Sequence, residues 1–270
     1  MNLHEELSEE RYSHFADLTG RVVAVMGGTS GLGRAIALGL ARAGADVTVT
    51  GRREALVDGL AGEIEALGRQ TLRIACDVRE RASIDAFRDA LLAKFGAVHV
   101  LVNAAGVMAR QVAAEVPEQE WQSILDINVN GTMRACQSFY EPLKACGSGR
   151  IINIASLTSF VAFNRVIAYG VSKSAVLGMT RQLAVEWAPD GITVNGIAPG
   201  VFVTDLNRKL LEGTERGREL RTRTPMHRFG LAKELVPAAI LFASEATTFI
   251  TGQTISVDGG FLASGVNNYT

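Results

Sequence analysis

The stretch RVVAVMGGTSGLGRAI, residues 21–36, decides the fold of this chain of 270 residues. It begins with a β-branched run typical of a buried strand, passes through Gly27, Gly31 and Gly33, and ends in a helical pattern. Glycine allows a pyrophosphate to approach the backbone, and the free N–H groups of the helix attract an anion. A glycine turn that serves only tight packing is the alternative. The strand before the turn and the helix after it favour a dinucleotide-binding βαβ unit.

The rest of the chain repeats this alternation of a short β-branched run with a longer helical pattern. Strands are predicted at 21–26, 46–50, 71–76, 98–103, 150–155, 192–198 and 254–258. Helices are predicted near 32–43, 53–67, 83–95, 118–127, 129–145, 168–188 and 232–243. Because most strands are apolar on both faces, helices must cover both sides of the sheet. The prediction is an α/β fold: a three-layer, doubly wound parallel sheet of about seven strands with helices on both faces, the Rossmann fold.

Two regions depart from this alternation. Residues 1–18 are a charged lead-in, which we interpret as an N-terminal extension that is frayed or packed on a neighbouring subunit. Residues 202–229 are basic, rich in threonine and long for a connection. Long connections in compact domains are usually functional elements such as lids. We therefore expect a single domain over 19–270 with a substrate lid at 202–229.

The composition limits the partners. Lys and Arg number 27 against 28 Asp and Glu, so no net field attracts a polyanion and no nucleic-acid partner is expected. The apolar runs are shorter than the ~20 residues that cross a bilayer, and the N-terminus is too polar for a signal peptide. The three cysteines, Cys76, Cys136 and Cys146, lack metal-ligand spacing. We expect a cytoplasmic protein with no membrane segment, no disulfide and no metal.

The glycine spacing, Gly-x-x-x-Gly-x-Gly over 27–33, resembles that of the short-chain dehydrogenase/reductase family. The family pattern begins Thr-Gly, and here Met26 stands in place of the threonine. Together with the motifs described below, the resemblance extends over roughly 18–262. It implies a nicotinamide cofactor whose pyrophosphate lies on the turn, and a turn whose cofactor-binding residues are Gly27, Thr29, Ser30, Gly31, Leu32 and Gly33.

The end of the second strand indicates which nicotinamide cofactor is preferred. An acidic residue there would bind the ribose 2′-hydroxyl and repel a 2′-phosphate. The sequence instead has Gly51 at this position, followed by Arg52 and Arg53. A guanidinium suits a phosphate dianion, so NADP(H) is expected, with Arg52 as the main contact and Arg53 or Ser30 assisting. NAD(H) is possible, because a solvated arginine pair that opens a helix is the alternative.

By the same resemblance, further cofactor contacts follow the later strands. Asp77 and Val78 are expected to flank the adenine, although Asp77 could also be an ordinary turn residue. The path of the cofactor and the nicotinamide end are expected to be lined by Asn103, Ala104, Gly106, Pro199, Gly200 and Thr204, with the catalytic tyrosine and lysine beside them.

The stretch AYGVSKSAV, residues 168–176, places Tyr169 and Lys173 on one face of a helix. Reduction of a ketone needs a proton donor, and the reverse reaction needs a base. A phenol serves as a base when a nearby cation lowers its pKa, so Tyr169 is the predicted acid/base and Lys173 its electrostatic partner. Ser156, at the end of a strand, could bind the substrate oxygen. Asn128 matches the family's asparagine that anchors a relay water. A strand-end cap for Ser156 and a helix cap for Asn128 are the alternatives.

The substrate pocket is expected from the segments after the fourth strand, before Tyr169 and in the lid. Arg110, Arg165 and Arg228, with His227, would suit an anionic or hydroxylated substrate. Solvated or intersubunit arginines are the alternative. Three stretches, INIASLTSF, RTPMHRFG and VDGGFLASG, resemble sugar-acid and polyol dehydrogenases of the family, such as gluconate 5-dehydrogenases. A small-molecule sugar acid or polyol is therefore the expected substrate, with a 3-oxoacyl-thioester reductase and a non-catalytic nicotinamide-binding regulator as alternatives. The resemblance also implies a homotetramer.

Overall fold

The structure, a computed structural model, describes residues 14–205 and 207–265. At its centre is a sheet of six strands: β1 (Val22–Met26), β2 (Asp46–Thr50), β3 (Val100–Asn103), β4 (Arg150–Ile154), β5 (Thr193–Pro199) and β6 (Thr254–Val257). The order is β2-β1-β3-β4-β5-β6, and each neighbouring pair is parallel. The predicted doubly wound α/β fold is confirmed.

Helices cover both faces of the sheet. They are α1 (Gly31–Arg42), α2 (Glu54–Ala66), α3 (Arg81–Phe95), α4 (Glu118–Leu125), α5 (Gly131–Ala145), α6 (Ile167–Trp187), α7 (Arg208–Leu211), α8 (Glu215–Arg223) and α9 (Val236–Ala243). A π turn, Asp126–Asn130, joins α4 to α5 without the break that the sequence predicted between 127 and 129. Within the described ranges, no helix combines the length and the apolar character needed to span a membrane.

The side chains of β1 alternate between two cores. Val23 and Val25 pack in the layer formed by α1, α2 and α9, whereas Ala24 and Met26 pack in the layer formed by α3, α5 and α6. Successive side chains of a strand point to opposite faces, which explains why the strand is apolar throughout. Each large apolar side chain that is fully buried contributes about 1.5–3 kcal/mol, so the two layers hold the strand ends in fixed positions.

The chain reverses its direction across the sheet between β1 and β3. From β1 it winds to β2 on one side, then returns past β1 to β3 on the other. Just beyond the strands, the Ala104 N–H donates to the Met26 carbonyl at 2.9 Å. Open α/β sheets bind their ligands in the crevice that forms at such a point, outside the carboxyl ends of the strands.

The strand predicted at 71–76 does not form. This segment runs beside β2, where the Cys76 N–H donates to the Gly51 carbonyl and the Thr50 hydroxyl donates to the Ile74 carbonyl. The segment is not among the paired strands of the sheet. The described residues therefore contain six strands where the sequence predicted about seven.

The structure describes only part of the predicted N-terminal extension, but most of the predicted lid. Residues 1–13 of the predicted extension lie outside the described residues, while Leu18, its last residue, is fully buried in the core. The predicted lid at 202–229 contains α7 and α8, and Thr214 caps α8 by accepting the Gly217 N–H at 3.0 Å. The domain boundary at 18/19 and a lid function for this segment stay predictions.

Candidate active site

A cleft of about 510 Å³ opens at the point where the chain reverses direction. The predicted site residues on its wall are Gly27, Thr29, Ser30, Gly31, Leu32, Gly33, Arg52, Arg53, Asp77, Val78, Ala104, Gly106, Ser156, Tyr169, Lys173, Pro199, Gly200 and Thr204. Six predicted residues are not on this wall: Asn103, Arg110, Asn128, Arg165, His227 and Arg228. One cavity therefore joins most of the expected cofactor residues to three of the expected catalytic residues.

The turn after β1 leaves no room for side chains. A Cβ on Gly27, where φ is +77°, would lie 2.5 Å from the backbone of Ala105. A Cβ on Gly33 would lie 2.5 Å from the carbonyl oxygen of Gly27. Gly31, with φ at +54°, has the left-handed conformation that favours glycine. The backbone path itself requires these glycines, and it leaves the peptide groups bare along the cleft.

The N-terminus of α1 points its amide groups at this cleft. Its N-cap residue, Ser30, makes no side-chain capping bond, and the first turn carries no acidic residue. The orphan N–H groups and the positive end of the helix dipole are therefore not neutralised from within the helix. Thr204 lies across the turn, with its methyl group 3.6 Å from the position of a Cβ on Gly31. Such a helix end is suited to a phosphate.

Arg52 and Arg53 lie exposed on the cleft wall, directly after β2. Across residues 14–205 and 207–265, neither forms a salt bridge. A Cβ on Gly51 would lie 3.0 Å from the Thr29 hydroxyl, so this position is too tight for an acidic side chain without a local shift. The end of β2 thus presents two cations and no carboxylate.

Asp77 forms an ion pair with Arg79 that the sequence did not predict. Arg79 donates to its carboxylate through Nη2 at 2.6 Å and through Nε at 3.0 Å. This contact, more than any other, holds the pKa of Asp77 below its usual range, and Arg52 acts in the same direction. The carboxylate is therefore ionised at neutral pH and oriented at the edge of the cleft.

Two predicted asparagines lie behind the cleft wall. Asn103 donates to Asn153 at 2.9 Å and to the Cys136 sulfur at 3.3 Å, deep in the core. Asn128, in the π turn, is fully buried and bonds both the N–H and the carbonyl of Val107 at 2.8 and 2.9 Å. Its amide also donates to Ser172 at 2.9 Å. The side chain of Asn128 therefore joins the β3 loop to α6 and does not cap a helix.

Ser156 and Tyr169 meet at one end of the cleft. Ser156 is buried, and its hydroxyl accepts the Thr158 N–H at 3.2 Å, which caps the short turn Leu157–Ser159. Burial raises the pKa of Tyr169, and a hydrogen bond with Ser156 offsets part of that effect. The lowering of the Tyr169 pKa that is expected from Lys173 stays a prediction. A neutral phenol is the form that can donate a proton at neutral pH.

Lys173 is buried beneath this pair. Its Nζ donates to the Ile154 carbonyl at 2.7 Å and lies 5.8 Å from the centre of the Tyr169 ring. Burial lowers the pKa of Lys173 to about 8. A Cβ on Gly106 would lie 3.5 Å from this Nζ, so the glycine leaves space above the ammonium. Lys173 thus keeps most of its charge at neutral pH, although its environment opposes that charge.

The predicted substrate arginines lie outside the cleft wall. Arg110 and Arg165 are exposed on neighbouring loops, which the Gln111 N–H joins by donating to the Arg165 carbonyl at 2.9 Å. Arg228 forms a two-pronged ion pair with Glu234, both distances being 2.7 Å. Its guanidinium is therefore engaged within the protein.

The comparison with known proteins agrees with this geometry. Residues 27–262 match the family described as Enoyl-(Acyl carrier protein) reductase. The 2-dehydro-3-deoxy-D-gluconate 5-dehydrogenase of Escherichia coli is 39% identical over 247 residues, which is 91% of this chain and 97% of that protein. The chain belongs to the short-chain dehydrogenase/reductase family of oxidoreductases.

Other members of the family are equally well covered. The D-threitol dehydrogenase of Mycolicibacterium smegmatis is 37% identical over 244 residues, or 90% of this chain and 94% of the relative. The crystal structure of a gluconate 5-dehydrogenase from Burkholderia cenocepacia, in complex with NADP and tartrate, is 35% identical. It superposes with a TM-score of 0.90 over 93% of this chain and 99% of its own.

The structure adds residues that the sequence analysis did not single out. On the cleft wall these are Gly51, Cys76, Ala105, Val107, Met108, Ile127, Ile154, Ala155, Phe202, Asp205 and Asn207. Ala155, which directly follows β4, could have been found from the strand end alone. Asn207 lies in an irregular segment, where it accepts the Thr204 N–H at 2.9 Å, and no periodic signal marks it.

Proposed function

We propose that this protein is an NADP(H)-dependent oxidoreductase that interconverts a secondary alcohol and a ketone on a sugar acid or polyol, with Tyr169 as the acid/base. One observation carries the proposal. Ser156, Tyr169 and Lys173 lie on the wall of the same cleft whose other end is formed by the glycine turn and by Arg52. Groups that transfer a proton and groups that suit a dinucleotide phosphate therefore share one cavity.

The residues present fit NADP(H). Added Cβ atoms on Gly27 and Gly33 would clash with the backbone, so the turn offers bare peptide groups to a pyrophosphate. The uncapped end of α1 favours negative charge there. Arg52 and Arg53, exposed at the end of β2, would hold the 2′-phosphate, and Gly51 leaves no acid to repel it. NADP is also the cofactor in the related gluconate 5-dehydrogenase structure.

The chemistry assigned to the protein's own groups is proton transfer and charge stabilisation. NADP(H), when bound, supplies or accepts the hydride at the carbon that bears the reacting oxygen. In reduction, the Tyr169 hydroxyl gives its proton to that oxygen, which suits a phenol whose pKa burial has raised. The Ser156 hydroxyl stabilises the developing alkoxide. After the proton has left, the nearby ammonium of Lys173 stabilises the phenolate.

The substrate class is supported by the relatives. Those described above are named for a sugar acid in two cases and for a four-carbon polyol in the third. The wall of the cleft near Tyr169 mixes hydroxyl and apolar groups, from Ser156 to Met108 and Phe202. Such a lining suits a small hydroxylated molecule with a defined orientation.

An activity screen tests the proposal. The purified protein would be assayed with NADP and NAD against D-gluconate, 2-dehydro-3-deoxy-D-gluconate and D-threitol, and with NADPH and NADH against a 3-oxoacyl thioester. Tyr169→Phe should lower kcat by about 10²- to 10⁴-fold while NADPH binding, followed by fluorescence, is retained. Tyr140→Phe is the matched control, because Tyr140 lies outside the cleft wall and bonds Asp190, just beyond the end of α6. Activity that survives Tyr169→Phe would contradict the assigned acid/base.

A thioester reductase is the second candidate. The matching family is described by an acyl-carrier-protein substrate, and α8 carries four arginines that could face an acidic carrier: Arg216, Arg218, Arg221 and Arg223. A kcat/KM for the 3-oxoacyl thioester that exceeds those for all sugar acids and polyols would favour this candidate. Absence of turnover with every compound would favour the non-catalytic regulator.

A further inference from the structure

The side chain of Asn207 turns away from the helix that it precedes. Asn207 is the N-cap residue of α7, and an asparagine at this position commonly accepts a backbone N–H from the first turn of its helix. In the part of the chain that the structure describes, it makes no such capping bond. Its Oδ1 instead accepts the Thr204 N–H at 2.9 Å, and its Nδ2 donates to the Phe202 carbonyl at 2.9 Å. The amide therefore binds the loop that leads to the helix.

The loop that Asn207 binds forms part of the cleft. Phe202, Thr204 and Asn207 all lie on the cleft wall. The Thr204 methyl group lies 3.6 Å from the position of a Cβ on Gly31, so Thr204 faces the glycine turn. Because the uncapped end of α1 at that turn suits a phosphate, Thr204 stands where the middle of a dinucleotide would pass.

The other end of this loop has an anchor of its own. Phe202 is buried and forms an isolated parallel bridge with Gly230, whose N–H donates to the Val201 carbonyl at 2.9 Å. The Phe202 ring lies against Gly230, where a Cβ would clash with it. Phe202 is therefore a fixed point. The bond from the Asn207 amide to the Phe202 carbonyl holds Thr204 between this point and the start of α7.

Asn207 contacts Thr204 on the side that the backbone bonds do not hold. The N–H groups of Asn207 and Arg208 donate to the Thr204 carbonyl at 3.1 and 2.9 Å. The Thr204 N–H has its acceptor in the Asn207 side chain, and the Thr204 hydroxyl donates to the same oxygen at 3.4 Å. A backbone N–H that loses its acceptor favours another loop conformation. The Asn207 amide therefore sets the orientation of Thr204.

We propose that Asn207 is a positioning residue, which holds Thr204 in place for the pyrophosphate and nicotinamide half of NADP(H). The inference rests on the proposed function, because it takes NADP(H) as the occupant of the cleft. An N-cap side chain that bonds elsewhere no longer stabilises the first turn of its helix, so the contacts of Asn207 favour the cleft over α7. The adenosine half of the cofactor, which Arg52 is proposed to bind, lies outside the reach of this contact.

The test compares Asn207→Ala with Thr214→Ala. Both residues are N-caps of lid helices, and Thr214 also makes two hydrogen bonds, from the Gly217 N–H at 3.0 Å and to the Leu210 carbonyl at 2.8 Å. Thr214, however, caps its own helix and lies outside the cleft wall. The affinity for NADPH, followed by fluorescence, should fall on the order of 10-fold in Asn207→Ala, as expected for one or two lost hydrogen bonds. It should change less than about threefold in Thr214→Ala.

A fragment of the cofactor shows whether the effect is local. Adenosine 2′-monophosphate carries the 2′-phosphate but neither the pyrophosphate nor the nicotinamide. Its affinity, measured by calorimetry, should stay within about threefold of wild type in Asn207→Ala, because the end of β2 is unchanged. The same measurement shows that the variant is folded.

A double variant tests whether Asn207 acts through Thr204. Thr204→Ala alone should weaken NADPH binding. Adding Asn207→Ala to it should cause a further loss of less than about threefold, because a positioning residue has no effect once the side chain that it positions is gone. Independent contacts would instead multiply, with a further loss on the order of 10-fold.

The binding measurements separate this inference from the proposed function. If the wild type binds NADPH but oxidises no sugar acid or polyol, the assigned reaction fails, and the affinities still test the role of Asn207. Equal NADPH affinities of wild type and Asn207→Ala, an equal loss in Thr214→Ala, an equal loss for adenosine 2′-monophosphate, or multiplied losses in the double variant would each overturn the inference. A wild type that binds no NADPH would overturn both.

Discussion

The Nζ atom of Lys173 lies 5.8 Å from the centre of the Tyr169 ring while it donates a hydrogen bond to the Ile154 carbonyl at 2.7 Å. The ammonium is therefore close enough to act on the phenol, yet the acceptor of its hydrogen bond is a neutral carbonyl. Lys173 is only 5% exposed, and burial lowers its pKa from the ordinary 10.5 to about 8. In this geometry the lysine charge is costly in itself, and it gains a favourable partner only when Tyr169 loses its proton.

This cost predicts a pH-dependent stability. Between pH 8 and 10.5 the unfolded chain holds the Lys173 proton more tightly than the folded chain does. Stability of the wild type should therefore rise with pH across this window, relative to a variant without the group. The full difference is on the order of 3 kcal/mol. Lys173→Met, which removes the charge and keeps the length, should lack this rise.

Urea unfolding of the cofactor-free protein at pH 7.5 and pH 10 measures the effect. At each pH, the free energy of unfolding of Lys173→Met is subtracted from that of the wild type. The test asks whether this difference changes between the two pH values. Titrating groups distant from Lys173 are common to both proteins and cancel to first order. Two curves that stay parallel between the two pH values would show that the ammonium of Lys173 is not destabilised by burial.

Gly33→Ala should abolish tight cofactor binding. The added methyl group would lie 2.5 Å from the Gly27 carbonyl oxygen, so the turn must move. Overpacking of this kind costs about 1–3 kcal/mol of stability, and the shifted turn would no longer fit a pyrophosphate. Gly62→Ala in α2 is the matched control, since its methyl group meets nothing within 4 Å. This substitution should raise the free energy of unfolding by about 0.5–1 kcal/mol. NADPH affinity by fluorescence and thermal unfolding of both variants check the pair. Unchanged affinity in Gly33→Ala would contradict the role of the turn.

Much of the fold could be predicted from the sequence because its strands and helices carry strong periodic signals. The β1 strand and its glycine turn illustrate this, since apolar alternation and steric need for glycine are both local properties. The segment 71–76 has the same composition as a strand, but it meets β2 through the Thr50 hydroxyl on the Ile74 carbonyl and is not among the paired strands of the sheet. Such a contact depends on how β2 is placed and leaves no pattern in the segment itself. The homotetramer and the cytoplasmic location stay predictions.

The candidate site was predictable where motif residues directly follow strands, and less so elsewhere. Ser156 and Gly27 follow β4 and β1, and the structure places both on the cleft wall. The sequence suggested Arg228 in the lid because no pattern indicates that Glu234, six residues later, forms an ion pair with it.

Arg52 should decide the preference between the two nicotinamide cofactors. Loss of a guanidinium from a phosphate removes a charge-assisted contact, which lowers affinity by roughly 10- to 100-fold. Arg52→Gln should therefore weaken NADPH binding by this factor. Its affinity for NADH should stay within about threefold of the wild-type value, since NADH carries no 2′-phosphate. Arg53→Gln is the comparison, because both arginines are exposed on the wall and only the principal contact should show the full loss. Dissociation constants at two salt concentrations measure it. An equal loss for NADPH and NADH would mean that Arg52 acts on a shared part of the cofactor.

Asn128→Ala should impair turnover while sparing cofactor binding. The fully buried amide of Asn128 holds both polar groups of the Val107 backbone and donates to Ser172, whose hydroxyl donates to the Tyr169 carbonyl at 2.7 Å. Its loss leaves buried polar groups unpaired, at about 1–3 kcal/mol each, and loosens the link between the β3 loop and α6. We expect a lower kcat and an NADPH affinity within about threefold of wild type, because the glycine turn lies on another loop.

Ser172→Ala breaks one bond and keeps the Val107 contacts, so its loss of stability should be near 1 kcal/mol and its kcat closer to wild type. Steady-state kinetics, NADPH titration and urea unfolding of both variants give the answer: equal losses in the two variants, or a loss of NADPH affinity that matches the loss of kcat, would show that Asn128 does not position Tyr169.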